Sequence, residues 1–423
     1  MYTLEALVTH AREHSTFYAE HFRALPTTGW QLRDLPLIQS SAYWRMDHGL
    51  QAWPVLTGSI EAAHVFKTGG TTGSGKVSVY TREEWRAFVT TFGRGMGTLL
   101  QAGDRVANLF FTGDLYASLL FIHGALSHMD VPVSEYPFTG AIESSSLADG
   151  IRAYDINVLA GVPAQLLRFA AYLDERDLSL PQIRTVLYGG ESVFADQLLL
   201  LRKVFPQAHC ASVGCASVDA GLLGASTPDC GIGEHRCYDG DAIVEIIDES
   251  TGVPIDEPGR PGMLVLTNLQ RKLMPLIRYP VGDLAAWVEA PGARQRKFIL
   301  MGRSSLGHRL RVGMLSLFPD DIDATIGHVV GPCRWQLLID HVAGVDQLTL
   351  RIAHAGNDSN HDALQAALRR QNPGMQSLTD TGQLQLSIHW STTADLSLHP
   401  RTGKLVRVLD QRKYQESATG EAA

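Results

Sequence analysis

Residues His64–Trp85 read HVFKTGGTTGSGKVSVYTREEW, and the reading of this stretch decides the fold. Three glycines and three threonines crowd into Thr68–Gly73, followed at once by Ser74, Gly75 and Lys76. Glycine permits positive φ and close backbone approach, so consecutive N–H groups can form a concave anion site. The hydroxyls of Thr68, Thr71, Thr72 and Ser74 add donors, and Lys76 adds charge. The stretch predicts a phosphate-holding loop between two strands, HVF leading in and VSVYT leading out. A helix then starts after Thr81, where Thr81 and Glu84 form a capping box.

Two other readings compete for the loop. Gly70–Lys76 fits G-x-x-x-x-G-K, the phosphate loop of P-loop NTPases, which then requires Ser or Thr and a helix. Here Val77 follows and a strand comes next, so the frame is wrong, although an ATPase of that type stays open as the alternative function. A flexible Gly/Ser linker is disfavoured by the strand-like segments close on either side.

Apolar content of 45% and charged content of 19% over 423 residues describe a globular chain long enough for two domains. A net charge of −8 argues against nucleic acid and against an anionic membrane surface as partners. Five cysteines, an odd number without a C-x-x-C pair, predict reduced thiols and a cytoplasmic location. Cys210, Cys230, His235 and Cys237 lie close enough in sequence to raise zinc, yet their spacing fits no standard ligand pair.

From residue 104 on, DRVANLFF, INVLAGV and IRTVLYGG read as buried strands, with SLLFIHGALSHM and AQLLRFAAYLDE as helices between them. That alternation predicts α/β architecture with a largely parallel sheet. AIVEIID, MLVLTNL, LAAWVEA and KFILMG are short and turn-bounded, predicting a small antiparallel subdomain. Beyond Gly302-Arg303, a Pro-started helix FPDDIDATIGHV and the alternating strands DQLTLRIAH and QLQLSIHW predict a small α+β domain. The expected division is 1–303 and 304–423. Residues 30–60 carry no clear pattern.

T-G-G-T-T-G-x-x-K at Thr68–Lys76 resembles the phosphate loop of the adenylate-forming superfamily, the acyl-CoA synthetases and ligases. Five further stretches resemble the superfamily's motifs in its order. Leu187–Ser192, LYGGES, is similar to the strand-end G-[GA]-E, which implies Gly189, Gly190 and Glu191 against adenine. Cys215–Gly221, CASVDAG, stands where Y-G-x-[TS]-E is usual, with Cys215 for the aromatic, Ala216 for glycine and Asp219 for the magnesium-holding acid. Ile277–Asp283, IRYPVGD, resembles Y-R-T-G-D and implies Asp283 on the ribose hydroxyls. Gly302-Arg303 resembles the G-R that brings an arginine to the nucleotide, but the usual Asp or Lys pivot is Ser305 and a common basic residue is Met314. Pro400–Val406, PRTGKLV, is similar to the closing loop whose lysine, here Lys404, acts in catalysis.

With its opening H-A-R-E-H-S-T-F-Y, the chain looks most like the phenylacetate–CoA ligase branch. The resemblance implies ATP and Mg²⁺ as cofactors and a carboxylic acid as substrate, activated as acyl-AMP. The second step would be transfer to a thiol of coenzyme A or of a carrier protein's pantetheine, with Lys76 and Lys404 catalytic. The small domain would be a lid, turning about Arg303–Ser305. Phe110, Phe111, Tyr116 and His123, opposite Cys215 and Ala216, predict a slot for a planar aromatic acid. A degenerate, non-catalytic relative is the other alternative, and the oligomeric state stays open, a homodimer included.

Overall fold

The computed structural model describes residues 2–47, 49–68, 76–190, 193, 195–303, 310–312, 315–317, 319–354, 358–392, 395–397 and 405–412. Lys67 is the last residue of strand Ala63–Lys67, which pairs antiparallel with Val77–Thr81, Lys67 opposite Val77. The phosphate-loop sequence therefore joins two strands of one hairpin, an arrangement no P-loop NTPase has, since that loop leads into a helix. Helix Arg82–Gly97 follows, its capping box formed as the sequence predicts. Phe88, Val89, Phe92 and Met96 are buried on one helix face. Each such side chain removed from water contributes roughly 1.5–3 kcal/mol, which fixes this helix against helix Ser118–His128 and strand Gly221–Ala225.

One sheet has five strands, all parallel, in the order Ser134–Pro137, Arg105–Asn108, Val158–Gly161, Thr185–Tyr188 and His209–Ser212. Helices Ser118–His128, Ser144–Ala153, Pro163–Asp174 and Ala195–Val204 supply the crossovers that parallel strands require. The order reverses between Arg105–Asn108 and Val158–Gly161, so the carboxyl ends of the strands open a crevice there, where ligands of open α/β sheets bind.

A second sheet has seven strands, running Ala242–Ile247, Gly262–Asn268, Leu276–Trp287, Lys297–Arg303, Glu234–Cys237, Gly221–Ala225 and Cys215–Ser217. All its pairings are antiparallel, as the short turn-bounded runs predict. One boundary differs from expectation. Of LAAWVEA only Leu284–Trp287 is strand, as the end of a longer strand Leu276–Trp287 that also contains the IRYPVGD stretch.

The unpatterned residues 30–60 wrap this sheet through Tyr43, Trp53 and Val55. The buried Tyr18 and Tyr43 hydroxyls both donate to the Pro275 carbonyl, at 2.8 and 2.7 Å.

Strands Leu384–Ser391, Val345–Ala353, Arg334–Val342 and Val408–Asp410 form a separate four-stranded sheet. Its core is drawn wholly from residues between Leu310 and Val408, with Trp335 fully buried. Helix Asp358–Gln371 lies in the connection between the parallel strands Val345–Ala353 and Leu384–Ser391. Among the described residues, no helix is long and apolar enough to cross a membrane.

Candidate active site

At the neck of the phosphate-loop hairpin, the Thr68 N–H donates to the Lys76 carbonyl at 2.9 Å. The Lys76 N–H donates back to Thr68 Oγ1 at 3.1 Å. Gly69, Gly70, Thr71, Thr72 and Gly73 lie outside the described residues. From this neck the Lys76 side chain turns inward and is only 10% exposed.

Three elements far apart in sequence meet its ammonium. Nζ lies 3.2 Å from Asp219 Oδ2 and donates to the Tyr279 hydroxyl at 2.6 Å. That hydroxyl donates in turn to Asp219 Oδ2 at 3.1 Å. The rings of Trp44 and Tyr279 flank Nζ, with centroids at 5.1 and 5.3 Å. A cation against two aromatic faces gains from the ring quadrupoles, the more so when water is excluded. Lys76 is thus engaged with a carboxylate, a phenol and two rings.

Asp219 is buried in the turn between strands Cys215–Ser217 and Gly221–Ala225. The turn needs glycine at 221, where φ is +90° and a Cβ would lie 2.2 Å from Asn268 Nδ2. Behind it stands Arg271, 1% exposed, which donates to the Asp219 carbonyl at 2.8 Å and the Val79 carbonyl at 3.1 Å. Its guanidinium stacks on Tyr80 at 4.2 Å. The Tyr80 hydroxyl donates to the Val218 carbonyl at 2.6 Å, and burial pushes that phenol up to about 12. The strand after the loop is therefore tied to the Asp219 turn by two side chains.

Glu84 adds a third tie. One oxygen accepts from the Thr81 N–H at 2.8 Å, completing the cap. The other accepts from the Lys272 and Leu273 N–H groups at 2.7 and 2.8 Å, on the approach to the Tyr279 strand.

Elsewhere the predicted residues fall as follows. Gly189 leaves the end of strand Thr185–Tyr188, and a Cβ there would meet Val213 at 2.5 Å and the Phe110 ring at 3.3 Å. Gly190 is exposed just beyond it, and Glu191 is outside the described residues. Asp283 is half-buried and sits opposite Arg303 in the register of two neighbouring strands. Lys404, Ser305 and Met314 also lie outside the described residues.

Phe110 is buried, while Phe111, Tyr116, Cys215 and Ala216 are half-buried; Phe111 and Ala216 pack against the same apolar cluster as Phe110. His123 stands exposed on helix Ser118–His128, with Nδ1 at 2.5 Å from Glu135 Oε2. Helical periodicity turns it away from Phe121, which packs on Phe88 and Phe92 at 4.6 Å. Among the described residues, no group of three or more His, Cys, Asp or Glu side chains could hold a metal ion. Burial pushes the Cys210 and Cys237 thiols up, to about 11 and about 12, so both are protonated packing groups at neutral pH.

Sequence reading missed Trp44, Arg271 and the role of Tyr279. Tyr279 lies inside the IRYPVGD motif, yet nothing local says that its hydroxyl reaches Asp219. Trp44 comes from the unpatterned segment.

No family model matches the chain. In sequence it is 24% identical over 454 aligned residues to the phenylacetate-coenzyme A ligase of Thermus thermophilus, covering 97% of this chain and 95% of that one. In structure it is similar to 2-hydroxyisobutyryl-CoA ligase, solved with 2-HIB-AMP and CoA, at TM-score 0.72 and 19% identity, over 97% of this chain and 88% of that chain. The fold is that of 2-hydroxyisobutyryl-CoA ligase. A more distant member of the same fold is the amide bond synthetase McbA of Marinactinospora thermotolerans, at TM-score 0.53 and 15% identity, over 82% and 68% of the two chains.

Proposed function

We propose that this chain activates a carboxylic acid with ATP, forming acyl-AMP and releasing pyrophosphate, and then passes the acyl group to a thiol of coenzyme A. A carrier protein's pantetheine is the other acceptor of the same chemistry. The observation that carries this reading is the convergence of the loop neck, through Lys76, on the buried Asp219 and Tyr279. It brings the neck residue Lys76 to a buried carboxylate in the turn between strands Cys215–Ser217 and Gly221–Ala225. The similarity of nearly the whole chain to a phenylacetate–CoA ligase supports the reaction class.

In this reading, Thr68–Lys76 cradles the β- and γ-phosphates, Gly189 to Glu191 pack on adenine, and Asp283 accepts from the ribose hydroxyls, with Arg303 nearby. Catalysis by such a site rests on positioning and on charge neutralisation where charge develops. Lys404 would supply charge at the α-phosphate from the 304–423 unit, acting as a mobile lid.

The residues present fit magnesium. Asp219 offers a hard carboxylate oxygen, and that oxygen already faces a cation in this structure. When bound, the metal would neutralise phosphate charge.

The acid is aromatic in this proposal. In this reading Phe110, Phe111 and Tyr116 would supply flat walls and Cys215 and Ala216 small ones, a slot suited to a planar ring. ATP–pyrophosphate exchange tests both levels. Benzoate-, quinoline- and phenazine-type acids should support exchange, and straight-chain acids should not. Exchange confined to straight-chain acids would overturn the aromatic assignment, and no exchange with any acid would overturn the reaction.

A further inference from the structure

Lys76 and the metal expected at this site have claims on the same atom. Asp219 is 5% exposed, and its Oδ2 takes both the Lys76 ammonium and the Tyr279 hydroxyl. A buried carboxylate at neutral pH requires a counter-charge, and here the phosphate loop's own lysine supplies it. The lysine is held in turn by Tyr279 and by the two flanking rings. Arg271 holds the turn from the main-chain side, so displacing the lysine need not move the carboxylate.

We infer that Lys76 is a stand-in for the divalent cation: it neutralises Asp219 in the nucleotide-free protein and must yield that oxygen when metal and nucleotide enter. Tyr279 is the positioning residue that holds the stand-in. Released from Asp219, Lys76 sits at the neck of the loop, where a phosphate would be its new partner. Metal and ammonium thus compete, and the competition sets how strongly magnesium favours nucleotide binding. This inference rests on the nucleotide site proposed above.

The test is a binding ratio. The affinity for α,β-methylene-ATP, which cannot be cleaved at the reacting bond, is measured by calorimetry in excess magnesium and in EDTA. The ratio of the two dissociation constants gives the metal's effect, and coupling between two ligands at a site is reciprocal and commonly 5–150-fold. Lys76→Met removes the competitor and also the lysine's pull on metal-free nucleotide, so the ratio should rise by roughly tenfold. Tyr279→Phe loosens the stand-in without removing charge and should raise the ratio by about two- to threefold. Asp219→Asn should reduce the ratio below the wild-type value.

An unchanged or lowered ratio in Lys76→Met would overturn the inference, because lysine and metal would then share the carboxylate. Should Lys76→Met fail to fold, an unchanged ratio in Tyr279→Phe overturns it equally. Wild-type protein that binds the analogue in neither condition would instead bring down the nucleotide site itself.

Discussion

Two buried ion pairs in this molecule meet at neighbouring residues of one strand, Leu276–Trp287, and they are built differently. Arg278 makes a two-pronged pair with Glu245, Nε and one terminal nitrogen each at 3.0 Å from a carboxylate oxygen. Its remaining terminal nitrogen donates to the carbonyls of Arg33 and Leu35, at 3.2 and 2.6 Å. Both side chains are under a tenth exposed. One residue on, Tyr279 belongs to the other pair, in which a single lysine nitrogen meets a single carboxylate oxygen.

The first pair fills a planar fork with acceptors and pins the N-terminal segment to the sheet. The second couples a compact, point-like charge to a site. Arginine suits the fixed role because its donors are pre-arranged, and lysine suits an exchangeable one because its charge can be handed from partner to partner. Burial pushes the Glu245 carboxyl above its ordinary value even with the guanidinium beside it. The fixed pair is therefore costly to desolvate, and its worth lies in what its loss would leave behind.

The largest expected effect breaks the fixed pair. Arg278→Met should cost about 3–5 kcal/mol in urea unfolding, since it strands Glu245 as an unpaired buried acid. Adding Glu245→Met should recover much of that loss. A single variant costing under about 1 kcal/mol would mean that the pair is not what holds residues 33–38 to the strand.

A buried ionisable group set against a neutral hydroxyl comes next. His235 is 3% exposed, its Nε2 lies 3.3 Å from Ser212 Oγ, and burial lowers its pKa to about 4. The unfolded chain, near 6.5, binds more protons than the folded one between these values, so stability falls as pH drops from 6.5 to about 4. Each tenfold rise in proton activity across that window removes about 1.4 kcal/mol, so the loss approaches roughly 3 kcal/mol. His235→Leu should flatten that part of the pH–stability curve. An identical curve in the variant would show that the imidazole is not held neutral.

The smallest effect belongs to the site. Asp283→Ala should weaken binding of α,β-methylene-ATP by about 1–3 kcal/mol, the scale for a hydrogen-bonding group left without its partner. Thermal stability should hardly change. Unchanged affinity by calorimetry would remove Asp283 from the nucleotide site.

How far the sequence could be read follows the same division between local and distant effects. The hairpin around the loop, the Thr81–Glu84 cap and the parallel strands are written in neighbouring residues, as period, cap and turn chemistry. The C-terminal strand pattern was legible for the same reason. Trp44, 32 residues from Lys76 in number alone, and Arg271, 52 residues from Asp219, are joined to the site only by the folded chain. No spacing announces such pairs. The Arg278–Glu245 clamp was equally silent, because it links two strands across 33 residues.

The measurement that bears most directly on the central claim is the identity of the nucleotide released when the protein turns over ATP with an aromatic acid and coenzyme A. With ATP labelled at the α-phosphate, labelled AMP and an equal amount of pyrophosphate are expected, both dependent on the acid. Labelled ADP with inorganic phosphate would contradict the acyl-adenylate route.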